Sequence, residues 1–234
     1  MVERLLYYER ELFLLLNSPH SPQLDTIMLL HSQTVIWAPV LVLMMYLLFM
    51  KRTHVKQGLL IFMLMIIVVA LCDQFASGLC KPFFARLRPT HHPSFFNIVK
   101  TVHGYRGGRL GFISSHACIS FGFATFVSRL FKNKYCTFVL FLWAVINAYS
   151  RIYLGVHFVS DVVLGACAGV MIGRLCSNSL CPLAHYILQI TDVAKHQTYL
   201  LLNKHAERYM AFGLLATFLV IILFSQSLLS LLGK

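Results

Sequence analysis

Six runs of apolar residues, at about 34–50, 58–80, 114–131, 135–150, 159–177 and 209–231, dominate this 234-residue sequence. A helix needs about 20 apolar residues to cross a hydrocarbon core, fewer when its ends are buried in protein. The fourth run is short and needs polar ends tucked against neighbours. None of the runs alternates with period two, as the strands of a membrane barrel do. Inside lipid, backbone polar groups are satisfied only within helices or closed barrels. The sequence therefore predicts an all-α membrane protein, a six-helix transmembrane bundle. Composition agrees: 58% of residues are hydrophobic and 12% are charged, about half the charged fraction of soluble domains. The length suits a single integral-membrane domain, 1–234.

The first 33 residues differ. Leu5, Leu6, Leu12, Phe13 and Leu16 recur at helical spacing among charges. This suggests an N-terminal amphipathic helix lying at the membrane interface; a cytosolic lead-in with no special role is the other reading. Asn17-Ser18-Pro19 ends it, and Ser21-Pro22 opens a second short helix toward Thr26. Glu3, Arg4, Glu9, Arg10 and Glu11 interrupt the apolar core that a cleavable signal peptide needs.

Loops 51–57, 132–134 and 178–208 share one side and carry Lys51, Arg52, Lys56, Lys132, Lys134, Lys195, Lys204 and Arg208, which marks that side as cytoplasmic. The other side, 81–113 and 151–158, is also basic, with Lys81, Arg86, Arg88, Arg106, Arg109 and Arg151, so counting alone orients the chain weakly. Lys and Arg number 20 against 8 Asp and Glu. That excess suits an anionic substrate or anionic headgroups; too few basic residues lie outside the spans for nucleic acid. The seven cysteines, Cys72, Cys80, Cys118, Cys136, Cys167, Cys176 and Cys181, form no Cys-x-x-Cys pair. They signal neither zinc nor redox chemistry and read as small apolar residues in helices.

Three segments on the second side carry chemistry. In Lys81-Pro82-Phe83-Phe84-Ala85-Arg86-Leu87-Arg88-Pro89, Lys81 and Arg88 stand about two helical turns apart, so on one helix they face the same way. Pro89 then stops that helix. Two cations at the end of a buried helix are costly unless they meet an anion. Ile113-Ser114-Ser115-His116 puts a hydroxyl, backbone N–H groups and an imidazole at a helix N-terminus, which favours anions. His116 is placed there to give a proton to a leaving group. In Ser150-Arg151-Ile152-Tyr153-Leu154-Gly155-Val156-His157-Phe158-Val159-Ser160-Asp161, His157 and Asp161 are four apart and share a helical face. A carboxylate on one ring nitrogen fixes the tautomer and leaves the other free to attack. Arg151 adds a planar fork suited to phosphate oxygens.

Each piece alone has a bland reading: an interfacial histidine, a stop signal, a helix cap. Together they resemble the three signatures of the type 2 phosphatidic acid phosphatase superfamily. Lys81 to Pro89 matches K-x6-R-P, Ser114-Ser115-His116 matches the S-G-H of P-S-G-H, and Ser150 to Asp161 matches S-R-x5-H-x3-D. The match spans residues 81–161. It implies that Lys81, Arg88 and Arg151 hold the phosphate oxygens, with Ser114 and the backbone N–H of Ser115 completing the cradle. It implies that His157, oriented by Asp161, attacks phosphorus, that His116 protonates the leaving oxygen, and that water hydrolyses the phosphohistidine. It implies no metal and no cofactor. Two residues depart from the pattern: Ile113 stands where the family often has Pro, and Ser115 where it has Gly.

The resemblance points to a bacterial inner-membrane lipid phosphatase with its site on the extracytoplasmic face and no obligate protein partner. Undecaprenyl diphosphate is the first expected substrate. A lipid A 1- or 4′-phosphate and phosphatidylglycerol phosphate or phosphatidate are the alternatives. A soluble haloperoxidase and a non-enzymatic anion path are the competing readings. Asp73, inside the second span, is read either as support for Lys81 or as a helix-packing hydrogen bond, the latter favoured. His91, His92 and His103 read as loop or headgroup contacts, and Arg106 and Arg109, among Gly104, Gly107 and Gly108, as a mobile basic loop. The last span, 209–231, takes the place of a helix that the family commonly has ahead of the interfacial segment.

Overall fold

The computed structural model describes residues 2–49, 55–180 and 206–231. Leu5 and Leu6 of the expected amphipathic face, the basic residues Lys51, Arg52, Lys56, Lys195 and Lys204, and Cys181 lie outside the described side chains. All regular structure among the described residues is helical: α1 (Val2–Asn17), α2 (Pro22–His31), α3 (Ala38–Phe49), α4 (Val55–Asp73), α5 (Lys81–Phe84), α6 (Ser115–Phe131), α7 (Lys134–Tyr153), α8 (Val159–Leu175) and α9 (Ala206–Leu231).

Among the described residues, four stretches are long and apolar enough to cross a membrane: Gly58–Phe84, Lys134–Tyr153, Val159–Leu180 and Arg208–Leu231. Pro22–His31 and Thr34–Phe49, bent by 72°, make a fifth if they form one broken span. The run expected at 34–50 is thus the second half of a bent pair. The break has local causes. Ser21 caps α2, accepting from the Leu24 N–H at 3.3 Å, with Pro22 in the first turn, and the helix runs on to His31 rather than stopping near Thr26. A 3-10 turn, Thr34–Trp37, follows. Pro39 then sits in the first turn of α3, where its missing N–H costs nothing. Helix α6, expected as a span, has 17 residues, about 25 Å. The protein is a multi-pass helical bundle with four or five candidate spans where the sequence predicts six.

Helix α6 is the centre of that bundle, packed against α4, α7 and α8. Its contact with α8 depends on a strip of small residues. A Cβ on Gly165, Gly169 or Gly173 of α8 would lie 2.6, 2.2 or 2.5 Å from the carbonyl oxygens of Ser114, Cys118 and Gly122. Only glycine lets the backbones approach this far, as in other membrane helix pairs. The strip brings the start of α6 beside the start of α8, where the second and third motifs lie. Five described cysteines, Cys72, Cys80, Cys118, Cys136 and Cys176, are buried in the bundle.

Helix α1 packs across the ends of α7 and α8. Phe13 is fully buried, with its ring 5.9 Å from Phe95 and 5.4 Å from Phe158. Asn17, also buried, bonds Tyr153 O at 2.8 Å, Lys100 O at 3.1 Å and the Lys100 N–H at 2.9 Å. Tyr7, Tyr8, Leu12 and Leu15 face outward and are exposed. The segment is therefore part of the bundle, not a lead-in without a role. Helix α9 packs against α2, α3 and α7.

Candidate active site

The first motif reaches the site by a route that helical spacing does not give. Helix α4 continues through a π-helical stretch, Gln74–Cys80, into the single turn of α5. The helix stops at Phe84, not at Pro89: Ala85 is left-handed, with φ 47°, and its N–H bonds Lys81 O at 3.0 Å. Residues 86–88 then run extended against 109–111. The Arg88 N–H bonds Arg109 O at 3.1 Å, the Gly111 N–H bonds Arg86 O at 2.8 Å, and Leu87 pairs with Leu110. Lys81 and Arg88 converge because the chain turns back, and not because they share a helical face. Arg88 Nε donates to Leu110 O at 2.9 Å, and its side chain is buried.

The second motif forms the N-terminus of α6. Ser114 is its N-cap; the hydroxyl accepts from the Ala117 N–H at 3.4 Å, and the Ser114 N–H donates to Asp161 O at 2.9 Å. Ser115 is the first helical residue and has no positive φ, so Ser in place of Gly carries no backbone strain. Its hydroxyl accepts from Lys81 Nζ at 3.3 Å. Lys81 also donates to Ser77 Oγ at 2.9 Å, and Ser77 donates to Asp73 Oδ1 at 3.0 Å. Asp73 thus supports Lys81 through Ser77, the reading that the sequence disfavoured.

The third motif closes the site. Arg151, in the last turn of α7, is 1% exposed and donates from Nη2 to Tyr105 Oη at 3.1 Å. His157 precedes α8 and does not lie on it, since the helix begins at Val159 with Phe158 as N-cap. Asp161 Oδ2 accepts from the Phe158 N–H at 3.0 Å, a first-turn carboxylate that suits the helix dipole. His157 Nδ1 stands 3.6 Å from that same oxygen, too far for a hydrogen bond. The expected shared helical face is replaced by a loop histidine set beside a capping carboxylate.

His157 and His116 are both within electrostatic reach of Lys81, Arg88 and Arg151, and of each other. The three motifs therefore gather in one place. His157 is fully buried, and burial, then Arg88, Arg151 and Lys81, hold its pKa well below 6.5. The imidazole is neutral at physiological pH, the form in which a ring nitrogen keeps its lone pair. Neither ring nitrogen of His157, nor Nε of Arg151, has a hydrogen-bond partner among the described residues. Buried cations and orphaned polar atoms of this kind are costly without an anion. Among the described residues no group of three His, Cys, Asp or Glu side chains is placed to hold a metal ion.

Sequence reasoning missed Arg86 and Glu9. Arg86 Nη1 donates to Asp161 Oδ1 at 2.8 Å and to Ser160 Oγ at 2.7 Å, while Nη2 donates to Glu9 Oε2 at 2.7 Å. The Ser160 hydroxyl and N–H both donate to Glu9 Oε1. Asp161 is thus held from its outer side by Arg86, and Arg86 by α1. The available signal was the Arg-x-Arg spacing, which puts Arg86 and Arg88 on one side of an extended segment. Gly107, with φ +64°, was read as part of a mobile loop, yet a Cβ there would lie 2.3 Å from Arg88 Nη1. The loop is pinned: Thr90 Oγ1 donates to Arg106 O at 2.8 Å, and the Arg106 guanidinium lies 4.4 Å over Phe96. His91 pairs with Thr90 Oγ1 at 3.1 Å, and His92 accepts from the Ser94 N–H at 3.2 Å.

A family model described as the PAP2 superfamily matches residues 58–181, more than half of the chain and all three motifs. The chain belongs to the PAP2 superfamily. This PAP2 protein is 42% identical over 173 residues to Lipid A 4′-phosphatase of Porphyromonas gingivalis, covering 74% of this chain and 73% of that one. It is 36% identical over 170 residues to Lipid A 4′-phosphatase of Bacteroides thetaiotaomicron, covering 72% and 75%. Aquifex aeolicus LpxE superposes with a TM-score of 0.51 at 28% identity, over 71% of this chain and 92% of that one. A PAP2 type phosphatidylglycerolphosphate phosphatase of Bacillus subtilis shares the fold, with a TM-score of 0.54 at 22% identity over 75% and 85%. The chain is a membrane lipid phosphatase of the PAP2, lipid-A-phosphatase branch. The soluble haloperoxidase and the passive anion path are thereby set aside.

Proposed function

We propose that this PAP2 enzyme removes the 4′-phosphate of lipid A through a phosphohistidine on His157. The observation that carries the chemistry is the convergence of Lys81, Arg88 and Arg151 on two histidines, one of them buried and neutral. The substrate rests on the two 4′-phosphatase relatives, at 42% and 36% identity. Undecaprenyl diphosphate, the first expectation from sequence, has no such support and becomes the second choice.

In this mechanism the three cations bind the phosphoryl oxygens, with the Ser114 and Ser115 end of α6 completing the cradle. Their charge stabilises the transition state. His157 Nε2 attacks phosphorus while Nδ1 faces Asp161. The P–N bond forms as the P–O bond to the sugar breaks, and His116, which takes up a proton as the anionic phosphate enters beside it, gives that proton to the departing oxygen. His116 then takes a proton from water, which attacks the phosphohistidine and frees inorganic phosphate and His157. No step uses a metal. The chain acts as one domain in the bacterial inner membrane, with α1 at the interface and the motifs on the extracytoplasmic side.

The test is an assay of purified protein against bis-phosphorylated lipid A, undecaprenyl diphosphate and phosphatidylglycerol phosphate, with and without a chelator, products being located by mass spectrometry. Loss of the 4′-phosphate, undiminished by chelator, is expected. Preference for another substrate overturns the substrate assignment, and chelator-sensitive turnover overturns the metal-free mechanism.

A further inference from the structure

Glu9, Phe13 and Asn17 stand four apart on α1 and so form one stripe along it. The stripe faces the protein: Phe13 and Asn17 are buried and the Glu9 side chain is 16% exposed, while Tyr7, Tyr8, Leu12 and Leu15 face outward. Phe13 and Asn17 hold α1 in place through ring packing and backbone hydrogen bonds. Glu9 does something else, because its carboxylate reaches two groups that flank Asp161. Oε2 accepts from Arg86 Nη2 at 2.7 Å. Oε1 accepts from the Ser160 N–H at 3.3 Å and from the Ser160 hydroxyl. The Ser160 N–H lies in the first turn of α8, where helix donors lack intrahelical partners. Glu9 therefore caps α8 from α1, with an anion where the helix dipole favours one.

Arg86 stands between two carboxylates and divides its fork. Nη2 goes to Glu9, and Nη1 goes to Asp161 Oδ1 at 2.8 Å and to Ser160 Oγ at 2.7 Å. Asp161, fully buried, thus receives one arm of the guanidinium. Its other oxygen, Oδ2, accepts from the Phe158 N–H at 3.0 Å and stands 3.6 Å from His157 Nδ1. A planar guanidinium beside a lone carboxylate tends to take both oxygens at once. Without Glu9, the second arm of Arg86 can turn onto Asp161 Oδ2. It would then compete with His157 for the oxygen that orients the ring.

We propose that Glu9 is a positioning residue for the reaction: by holding one arm of Arg86, it keeps Asp161 Oδ2 free for His157. The inference rests on the phosphatase reading above. It extends the machinery from the three motifs to α1.

The test measures kcat and KM of the intact chain for a lipid phosphate and for p-nitrophenyl phosphate, with thermal unfolding in detergent as the check on folding. Glu9→Ala is expected to lower kcat about tenfold or more for both substrates, with KM little changed. Glu9→Gln keeps the shape and one acceptor oxygen, so its kcat falls less; that smaller loss carries the test where Glu9→Ala does not fold. Arg86→Lys replaces the fork with a single ammonium that has no second arm to turn. In that background Glu9→Ala is expected to cost about twofold or less. A simple staple between α1 and residue 86 would survive as a Lys–Glu pair, and its loss would still be felt. A kcat loss that persists in Arg86→Lys, a rise in KM, or a loss confined to the lipid substrate therefore overturns the inference. So does unchanged turnover in both Glu9 variants. In each of these cases wild type still releases phosphate from the lipid. Failure of wild type to do so overturns the phosphatase reading, and this one with it.

Discussion

At the scale of single residues, the site works by setting one neutral imidazole among fixed cations. Burial and the charges of Arg88, Arg151 and Lys81 depress the pKa of His157. Its protonation limb in kcat/KM therefore lies well below pH 6.5, and no loss from this group appears between neutral pH and 6.5. Arg88→Gln removes one of the depressing charges, so the limb of its residual activity moves to higher pH. A limb that stays put in this variant contradicts the electrostatic account. Arg86 bonds Asp161, and we propose that it acts through that carboxylate and not on phosphate. Arg86→Ala leaves a buried carboxylate without its charge partner, a change of several kcal/mol in like cases. Turnover is expected to fall about 10- to 100-fold with KM for the lipid little changed. A rise in KM at constant kcat instead assigns Arg86 to substrate binding. His116→Ala is expected to cost about 10²- to 10⁴-fold with a lipid leaving group and far less with p-nitrophenolate, which leaves without a proton. Equal losses with both substrates remove His116 from the role of acid.

At the scale of elements, the glycine strip of α8 places the His157 loop against the cap of α6. Leu at Gly169 drives a Cβ toward Cys118 O, at 2.2 Å, and toward the Gly122 N–H nitrogen, at 2.9 Å. Both are backbone atoms, so the helices must part, at a cost of about 3 kcal/mol. Gly169→Leu is expected to lower Tm and activity together, whereas Gly108→Ala, with nothing within 4 Å, changes neither. The helices and the motif residues were legible in the sequence because apolar run length and charged spacing are local properties. Their geometry was legible only in part. Helical periodicity brings Lys81 to Arg88 and His157 to Asp161 on paper. In the fold, a left-handed Ala85 and the antiparallel pairing of 86–88 with 109–111 do the first, and a helix cap does the second. Both depend on partners remote in sequence. So does the link from Glu9 to Arg86, across 77 positions, which no window along the chain reveals.

At the scale of the whole molecule, the bundle brings residues far apart in the chain to one site. Lys81 opens α5, Arg88 follows it, Arg151 lies in the last turn of α7 and His157 stands just before α8, with Arg86 and Glu9 tying Asp161 to α1. Ser115 and His116 also line a cavity inside the bundle. The part of the basic excess that confuses orientation, Lys81, Arg88 and Arg151, belongs to the site. The central claim is that phosphate passes through His157. Rapid quenching of the enzyme during turnover of a lipid phosphate, followed by peptide mass spectrometry under alkaline conditions, tests it most directly. The account predicts a phosphorylated imidazole at His157 that is absent from folded His157→Ala. Phosphate on another side chain, or full turnover by His157→Ala, contradicts it.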